Sequence, residues 1–253
     1  MRHLKLFEGF QNDDKFYSYK VEDGQEVIIR NDTIGRKDLV VLSQSLEDLL
    51  RDMGGVNSIK TDFPVKGKTK PFAIDFAMSA CLFEPGGKNT GYFRFYNKEI
   101  APINDSNYGN FGMHLDKNSG EANGVFYGSG SKWNIVGTSK FNDTSSPFAI
   151  QNGPVLVLDG KINSVFNKTS TNKDYRGGIG VDDNGHACFA ISKGPDCSFY
   201  DLADHFLNKL GCKNAIYSDG NVIQAYSRNL GDGSSAYIGM KKNIAPLILV
   251  TKK

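Results

Sequence analysis

The chain has 253 residues, a formal net charge of +2, 39% hydrophobic and 23% charged residues. That composition excludes a disordered chain and leaves room for a sizeable core. A near-neutral chain with no long basic run carries no electrostatic footprint for nucleic acid.

Taken in order, residues 1–14 place Leu4, Leu6, Phe7 and Phe10 at helical spacing. They read either as a frayed terminus or as a docking or sorting peptide. This opening has no apolar core of a signal peptide, which leaves a cytoplasmic chain or one built into a virion-like assembly as the expectation. It also briefly resembles the start of some large-phage virion proteins. FYSYKV and EVIIR flank Asp23-Gly24 and predict a hairpin, and LVVL follows at 39–42. SLEDLLRDMGG predicts a helix, with Ser45 and Asp48 as its cap and Gly54 as its stop. The polar stretch 55–71 reads as a linker, which divides the chain into an N-terminal segment or small module at 1–70 and a main body at 71–253.

From residue 72 the pattern is strand, turn, strand. FAIDFAMSACLF is a buried strand; Asn97-Lys98, Asp159-Gly160 and Asn184-Gly185 are hairpin turns; residues 104–124 form a long loop or lid. A second helix starts at Ser198, with Asp201 three residues on, and ends at Gly211. AIYSDG and PLILV are late strands. The fold class expected is α+β, a mixed, strand-rich sheet with at least two helices.

No run of 18 apolar residues exists, so no membrane span is expected. Cys81, Cys188, Cys197 and Cys212 form no CxxC pair and sit in apolar segments, where buried free thiols are the expectation. There is no HExxH, GxSxG or P-loop, and neither a metal nor a cofactor is expected. Among the histidines, His205 falls mid-helix, in a surface or packing role, and His114, in the long loop, is the one site candidate. Asp182 and Asp183 read as turn residues. Polar residues collect at strand ends: Asn123-Gly124, Gln151-Asn152-Gly153-Pro154, Arg176-Gly177-Gly178 and Asp219-Gly220. Each alone reads most simply as strand punctuation.

Five stretches occur in one order: LFEPGGKNTGYFRFYNKEIAPIN with ANGVFY, FAIQNGPVLVLDGKI, YRGGIGVDDNGHACFAIS, the helix YDLADHFLNKLGC, and NAIYSDGNVIQAY. Together, over about residues 72–230, they resemble the phosphodiester glycosidase family, in particular its YigE-like bacterial branch. The resemblance implies a hydrolase that cleaves a sugar from a sugar-1-phosphate diester, on a glycan or cell-surface substrate. It assigns Asp219 and Arg176 as catalytic residues, and Gln151, Asn123, Ser79, Gly153 and Gly220 as substrate-binding positions. The chemistry suits these types. A carboxylate can stabilise or attack an anomeric carbon that gains positive charge. A guanidinium grips a phosphate with a planar fork. If the two lie within about 6 Å, Arg176 keeps Asp219 ionised.

The sequence departs from the family pattern at Ser79-Ala80-Cys81-Leu82-Phe83 and at Asn221-Val222-Ile223-Gln224. Those departures keep open a second reading: a catalytically degenerate glycan-binding or structural module of a larger assembly, docked through its N-terminal segment.

Overall fold

A computed structural model of the chain describes residues 9–30, 45–59, 71–83, 88–105, 112–230, 234–239, 242, 244 and 246–252. The N-terminal part holds β1 (Gly9–Asn12), β2 (Phe16–Lys20), β3 (Gln25–Arg30) and α1 (Leu46–Asp52). Next come β4 (Phe76–Ser79), β5 (Phe93–Phe95), β6 (Lys98–Ala101), β7 (Gly124–Ser129), β8 (Lys132–Gly137), β9 (Phe148–Asn152), β10 (Val155–Leu158) and β11 (Lys161–Ile162). The last third holds β12 (Gly177–Asp182), β13 (Ala187–Ser192), α2 (Phe199–Asp204), β14 (Cys212–Asp219), β15 (Gln224–Ser227), β16 (Ala236–Gly239) and β17 (Leu247–Lys252).

The strands form three sheets, ordered β1-β2-β13-β12-β14-β10-β11, β16-β15-β4-β17-β3 and β6-β5-β9-β7-β8. Every pairing among the described residues is antiparallel. The expected mixed sheet is therefore corrected to antiparallel sheets that outweigh the helices. The physical reason lies in the connections. Short connections reverse the chain in pairs such as β7–β8 and β12–β13, whereas parallel neighbours need a crossover of a dozen or more residues; the other pairs join strands distant in sequence.

The predicted hairpins at Asn97, Asp159-Gly160 and Asn184-Gly185 form. They join β5 to β6, β10 to β11 and β12 to β13. Asn97, Asp159, Gly160 and Gly185 take the positive φ such turns need. The hairpin expected at Asp23-Gly24 does not form. β2 pairs with β1 and β13 while β3 pairs with β17, so the turn is a corner at which the chain changes sheets.

That corner also joins the N-terminal strands to those of the main body. The strands of residues 9–30 are built into two sheets of the main body. Ile59 and Phe72, near the two ends of the expected linker, bridge each other through both backbone groups. Residues 60–70, the LVVL segment and residues 1–8 of the expected docking peptide lie outside the described residues. The part of that peptide which is described, Gly9–Asn12, is a strand of the chain's own sheet and not a helix.

Both helices start as their sequences predict. Ser45 accepts from the Asp48 N–H, and Ser198 forms a complete capping box with Asp201. α2 continues as a π-helical turn over His205–Lys209. Its apolar face packs on β12, β13 and β14 through Leu202, Phe206, Cys188, Cys212 and Tyr217. The glycines of β12 make this possible. A Cβ on Gly178 or Gly180 would stand 2.8 or 2.6 Å from the Phe206 ring. The larger core lies between the sheets, around Phe76, Phe93, Phe126, Trp133, Phe189 and Ile248. All four cysteines are buried free thiols. No helix among the described residues is long and apolar enough to cross a membrane.

His205 takes the packing role expected. Its ring stacks on Phe16 at 4.2 Å, and its nitrogens meet Ser18 Oγ at 2.7 Å and Asp13 Oδ2 at 3.2 Å. Asp182 binds the backbone of Asn184 and His186 and pairs with Lys20 at 2.6 Å, which makes it a turn anchor.

Candidate active site

β14 runs through the core of the largest sheet and ends at Asp219. Asp-Gly here is no hairpin turn, because the next strand, β15, belongs to another sheet. Gly220 is a glycine for reasons of space. A Cβ there would lie 2.5 Å from Tyr217 Oη and 2.9 Å from the Tyr175 carbonyl. One residue earlier the β12–β14 register shifts. Tyr217 pairs with Gly178 and Asp219 with Gly177, and Ser218 is the extra residue. Such a bulge re-aims the side chains around it. The Ser218 hydroxyl reaches the carbonyls of Ser79 and Ala80 at the end of β4.

Hydrogen bonds draw the other strand ends together. Tyr217 N donates to the Pro154 carbonyl, next to Gly153 and its cis peptide bond. Val155 N donates to the Ala122 carbonyl, beside Asn123. Asn152 accepts from Leu82 N and donates to the Ala80 carbonyl. Ends of strands from all three sheets thus meet around Asp219.

Asp219 is buried there. Burial pushes its carboxyl up to about 6, against the Gly220 N–H, which it accepts at 2.6 Å, and the charge of Lys242. Arg176 is not among the groups that shift Asp219. Desolvation dominates, and the opposing cation is Lys242. The neighbouring Cys81 thiol is raised by burial and then by the Asp219 charge, so it stays protonated.

Arg176 enters β12 one residue before the partner of Asp219. Its guanidinium carbon lies 4.0 Å from the centre of the Phe199 ring and 5.8 Å from that of Tyr217. Nη2 reaches Asn172 Oδ1 at 3.4 Å, while the buried Nε has no hydrogen-bond partner. Burial raises the Tyr217 phenol, the Asp219 charge adds to this, and Arg176 opposes it. His114 packs edge-on to Phe199 at 5.0 Å, and burial and then the Arg176 charge hold it below the ordinary imidazole value. The loop histidine therefore stands beside the arginine.

The remaining positions divide. Asn123 is buried with its Oδ1 unpartnered. Ser79 Oγ accepts from Gln224 N, so it pins β15 at the site. Gly153 lies in the turn whose Pro154 carbonyl holds Tyr217 N. Gln151 does not join the cluster as a free polar group. Its Oε1 accepts from Tyr92 N and Asn104 N, and its Nε2 donates to the Asn104 carbonyl and to Thr138. All its capacity is used inside the chain, which makes it a strut under the 92–104 segment. The sequence reading missed Tyr217, Phe199 and Lys242. Only the position of Tyr217, two residues before Asp219 on one strand, hinted at its place.

The phosphodiester glycosidase family model matches residues 85–242, well over half of the chain. The chain belongs to the phosphodiester glycosidase family. Within that setting it is 30% identical over 142 residues to the uncharacterised protein YigE of Escherichia coli, covering 50% of this chain and 56% of YigE. It thus spans little more than half of that curated relative. Its fold resembles the zebrafish N-acetylglucosamine-1-phosphodiester alpha-N-acetylglucosaminidase catalytic domain, auto-inhibited by its pro-peptide. The TM-score is 0.59 at 15% identity, over 98% of this chain and 82% of that one. A hypothetical protein from Synechocystis matches with a TM-score of 0.52 at 13% identity, over 96% of this chain and 61% of that one. At such identities the two structures speak for the fold of this phosphodiester glycosidase family member.

Proposed function

We propose that the chain is a hydrolase that cleaves the bond between the anomeric carbon and the bridging oxygen of a sugar-1-phosphate diester. Water enters, a free sugar forms, and a phosphomonoester leaves. The observation that carries this reading is two buried, unpartnered atoms at the strand ends: Arg176 Nε, a donor, and Asn123 Oδ1, an acceptor. Leaving each unpaired costs about 1–3 kcal/mol. A ligand with a phosphate oxygen for Arg176 and a hydroxyl for Asn123 would recover that cost. Asp219 stands at the strand end between their two supports, Gly177 and Pro154–Val155.

In this reading Asp219 acts in its ionised form at the anomeric carbon, as nucleophile or as stabiliser of the positive charge that develops there. Its value near 6 leaves it ionised at neutral pH. Arg176 holds the phosphate and offsets its charge as the bond breaks. Stacking on Phe199 fixes the guanidinium plane. A phosphodiester is already a competent leaving group, so little general-acid help is needed. Family membership supports the reaction class, and the zebrafish relative's name supports a sugar-1-phosphodiester as substrate.

The test is hydrolysis of a panel of sugar-1-phosphate diesters, N-acetylglucosamine among them, by the wild type and by Asp219→Asn. Turnover that the substitution abolishes is the expected result. Turnover that survives Asp219→Asn would overturn the assignment of the site.

A further inference from the structure

The aromatic surface around Arg176 does not stop at Phe199. Phe199 stacks on Phe166 at 5.2 Å and 16°, and meets Tyr217 edge-on at 5.0 Å. His114 lies edge-on to both phenylalanines, at 5.0 and 5.7 Å. His114, Phe166 and Phe199 are only half-buried. Their chain neighbours are apolar and exposed. Met113 is 70% exposed, Leu115 53% and Val165 38%, three of the five exposed large hydrophobic side chains among the described residues.

The two loops that carry them are clamped together. Asn163 donates to the His114 carbonyl at 2.9 Å. Asp116 accepts from the backbone and hydroxyl of Ser164, and Lys117 N donates to Ser164 Oγ. The apolar side chains thus stand on a fixed platform. An ordered apolar surface that runs into a charged site with an unfilled donor marks a ligand surface. Ring and cation contacts link Tyr217, Arg176, Phe199, His114 and Phe166, and Met113, Leu115 and Val165 are the exposed chain neighbours of the last two.

We infer that this shelf receives the alcohol on the far side of the phosphate, and that the alcohol is hydrophobic: an alkyl or isoprenoid chain. The assignment of sides rests on the proposed glycosidase reading, in which the sugar lies at Asp219 and the phosphate at Arg176. The apolar chain would run from the phosphate across Phe199 and Phe166 to Met113, Leu115 and Val165. Burial of its methylene groups there would supply affinity that the arginine alone cannot. The same shelf would then select among diesters by their alcohol, leaving the sugar to the other end of the site.

Calorimetric titration of the full chain with methyl phosphate and with hexyl phosphate tests this without turnover, since both are simple phosphomonoesters of the kind the reaction would release. Hexyl phosphate should bind at least ten-fold more tightly to the wild type. In a Met113→Ser/Leu115→Ser double variant, whose altered side chains are exposed and whose melting temperature should not change, the preference should fall below three-fold. Equal affinities in the wild type, no binding of either phosphate, or a preference that survives in the double variant would each overturn the inference. So would concentration-dependent dimerisation abolished by the double variant, which would make the shelf an interface between copies. Failure of Asp219-dependent hydrolysis beside a retained hexyl preference would remove the glycosidase reading and leave the shelf standing.

Discussion

Asp219 pairs with Gly177 across β12 and β14, so Arg176 enters the sheet at the level where Asp219 leaves it. One strand end delivers a carboxyl and its neighbour delivers a guanidinium, yet the two are not an ion pair that settles each other's charge. Burial governs Asp219, and Lys242 supplies the opposing cation. Arg176 is held by aromatic rings instead. A carboxyl that is not neutralised by its arginine can act on a carbon while the arginine serves a phosphate.

The first prediction concerns activity against pH. Asp219 must be ionised to act, and its carboxyl is pushed up to about 6. The kcat/KM for a sugar-1-phosphate diester should therefore rise about ten-fold per pH unit below 6 and level off above 7. A flat profile from pH 4.5 to 8 would remove Asp219 from the rate-determining ionisation.

Stability should move in the opposite sense. The folded state holds the Asp219 proton more tightly than the unfolded chain, so this group's contribution is full below about pH 4 and is lost as pH rises through about 6. Asp219→Asn keeps an oxygen for the Gly220 N–H and removes the buried charge. It should stabilise the fold at pH 7.5 by about 1–3 kcal/mol, with the gain fading below pH 4, while activity falls on the order of 10³-fold or more. Thermal melts of both proteins at pH 3.5 and 7.5 check this, and an equal difference at both pH values would contradict it.

Much of the local structure was legible in the sequence because it depends on local chemistry. Asn97, Asp159-Gly160 and Asn184-Gly185 make hairpins since those residues tolerate positive φ, and Ser198 with Asp201 caps α2 by itself. The same reasoning failed at Asp23-Gly24. The turn chemistry is right, but which sheet each strand joins is decided by β13 and β17, more than 150 residues away. The pairing of the N-terminal strands with the main body was hidden for the same reason. At the site, the placement of Asp219, Arg176 and Asn123 at strand ends was legible from the ordered motifs. The partners were not. Lys242 comes within electrostatic reach of Asp219, and Phe199 meets Arg176, only through the fold. Gln151 looked like a binding group because nothing in its neighbourhood in sequence shows that Tyr92 and Asn104 consume it.

Arg176→Lys keeps the charge and loses the planar fork and its stack on Phe199. The kcat/KM should fall by roughly 10–100-fold, the loss expected when a charge-assisted hydrogen bond is removed. The pH midpoint near 6 should stay, because Arg176 is not among the groups that set it. A midpoint shifted by a full unit would show that the two residues are coupled after all.

Gly220→Ala tests the space at the strand end. Its Cβ would meet Tyr217 Oη at 2.5 Å and the Tyr175 carbonyl at 2.9 Å, and the carbonyl cannot swing aside as a flexible side chain can. Overpacking of this kind costs about 1–3 kcal/mol. Asp219 would shift with its neighbour, so kcat should drop as well. An unchanged melting temperature with full activity would mean that the turn relaxes freely.

Gln151→Ala separates a strut from a substrate contact. The side chain now satisfies the backbone N–H groups of Tyr92 and Asn104, the Asn104 carbonyl and Thr138. Removing it leaves buried backbone groups unpaired, at a cost of about 2–4 kcal/mol. The variant should melt at lower temperature, and at 15 °C, where enough remains folded, its KM should match the wild type. The opposite pattern, an unchanged melting temperature with a KM raised several-fold, would return Gln151 to the substrate and require the 92–104 segment to be held by something else.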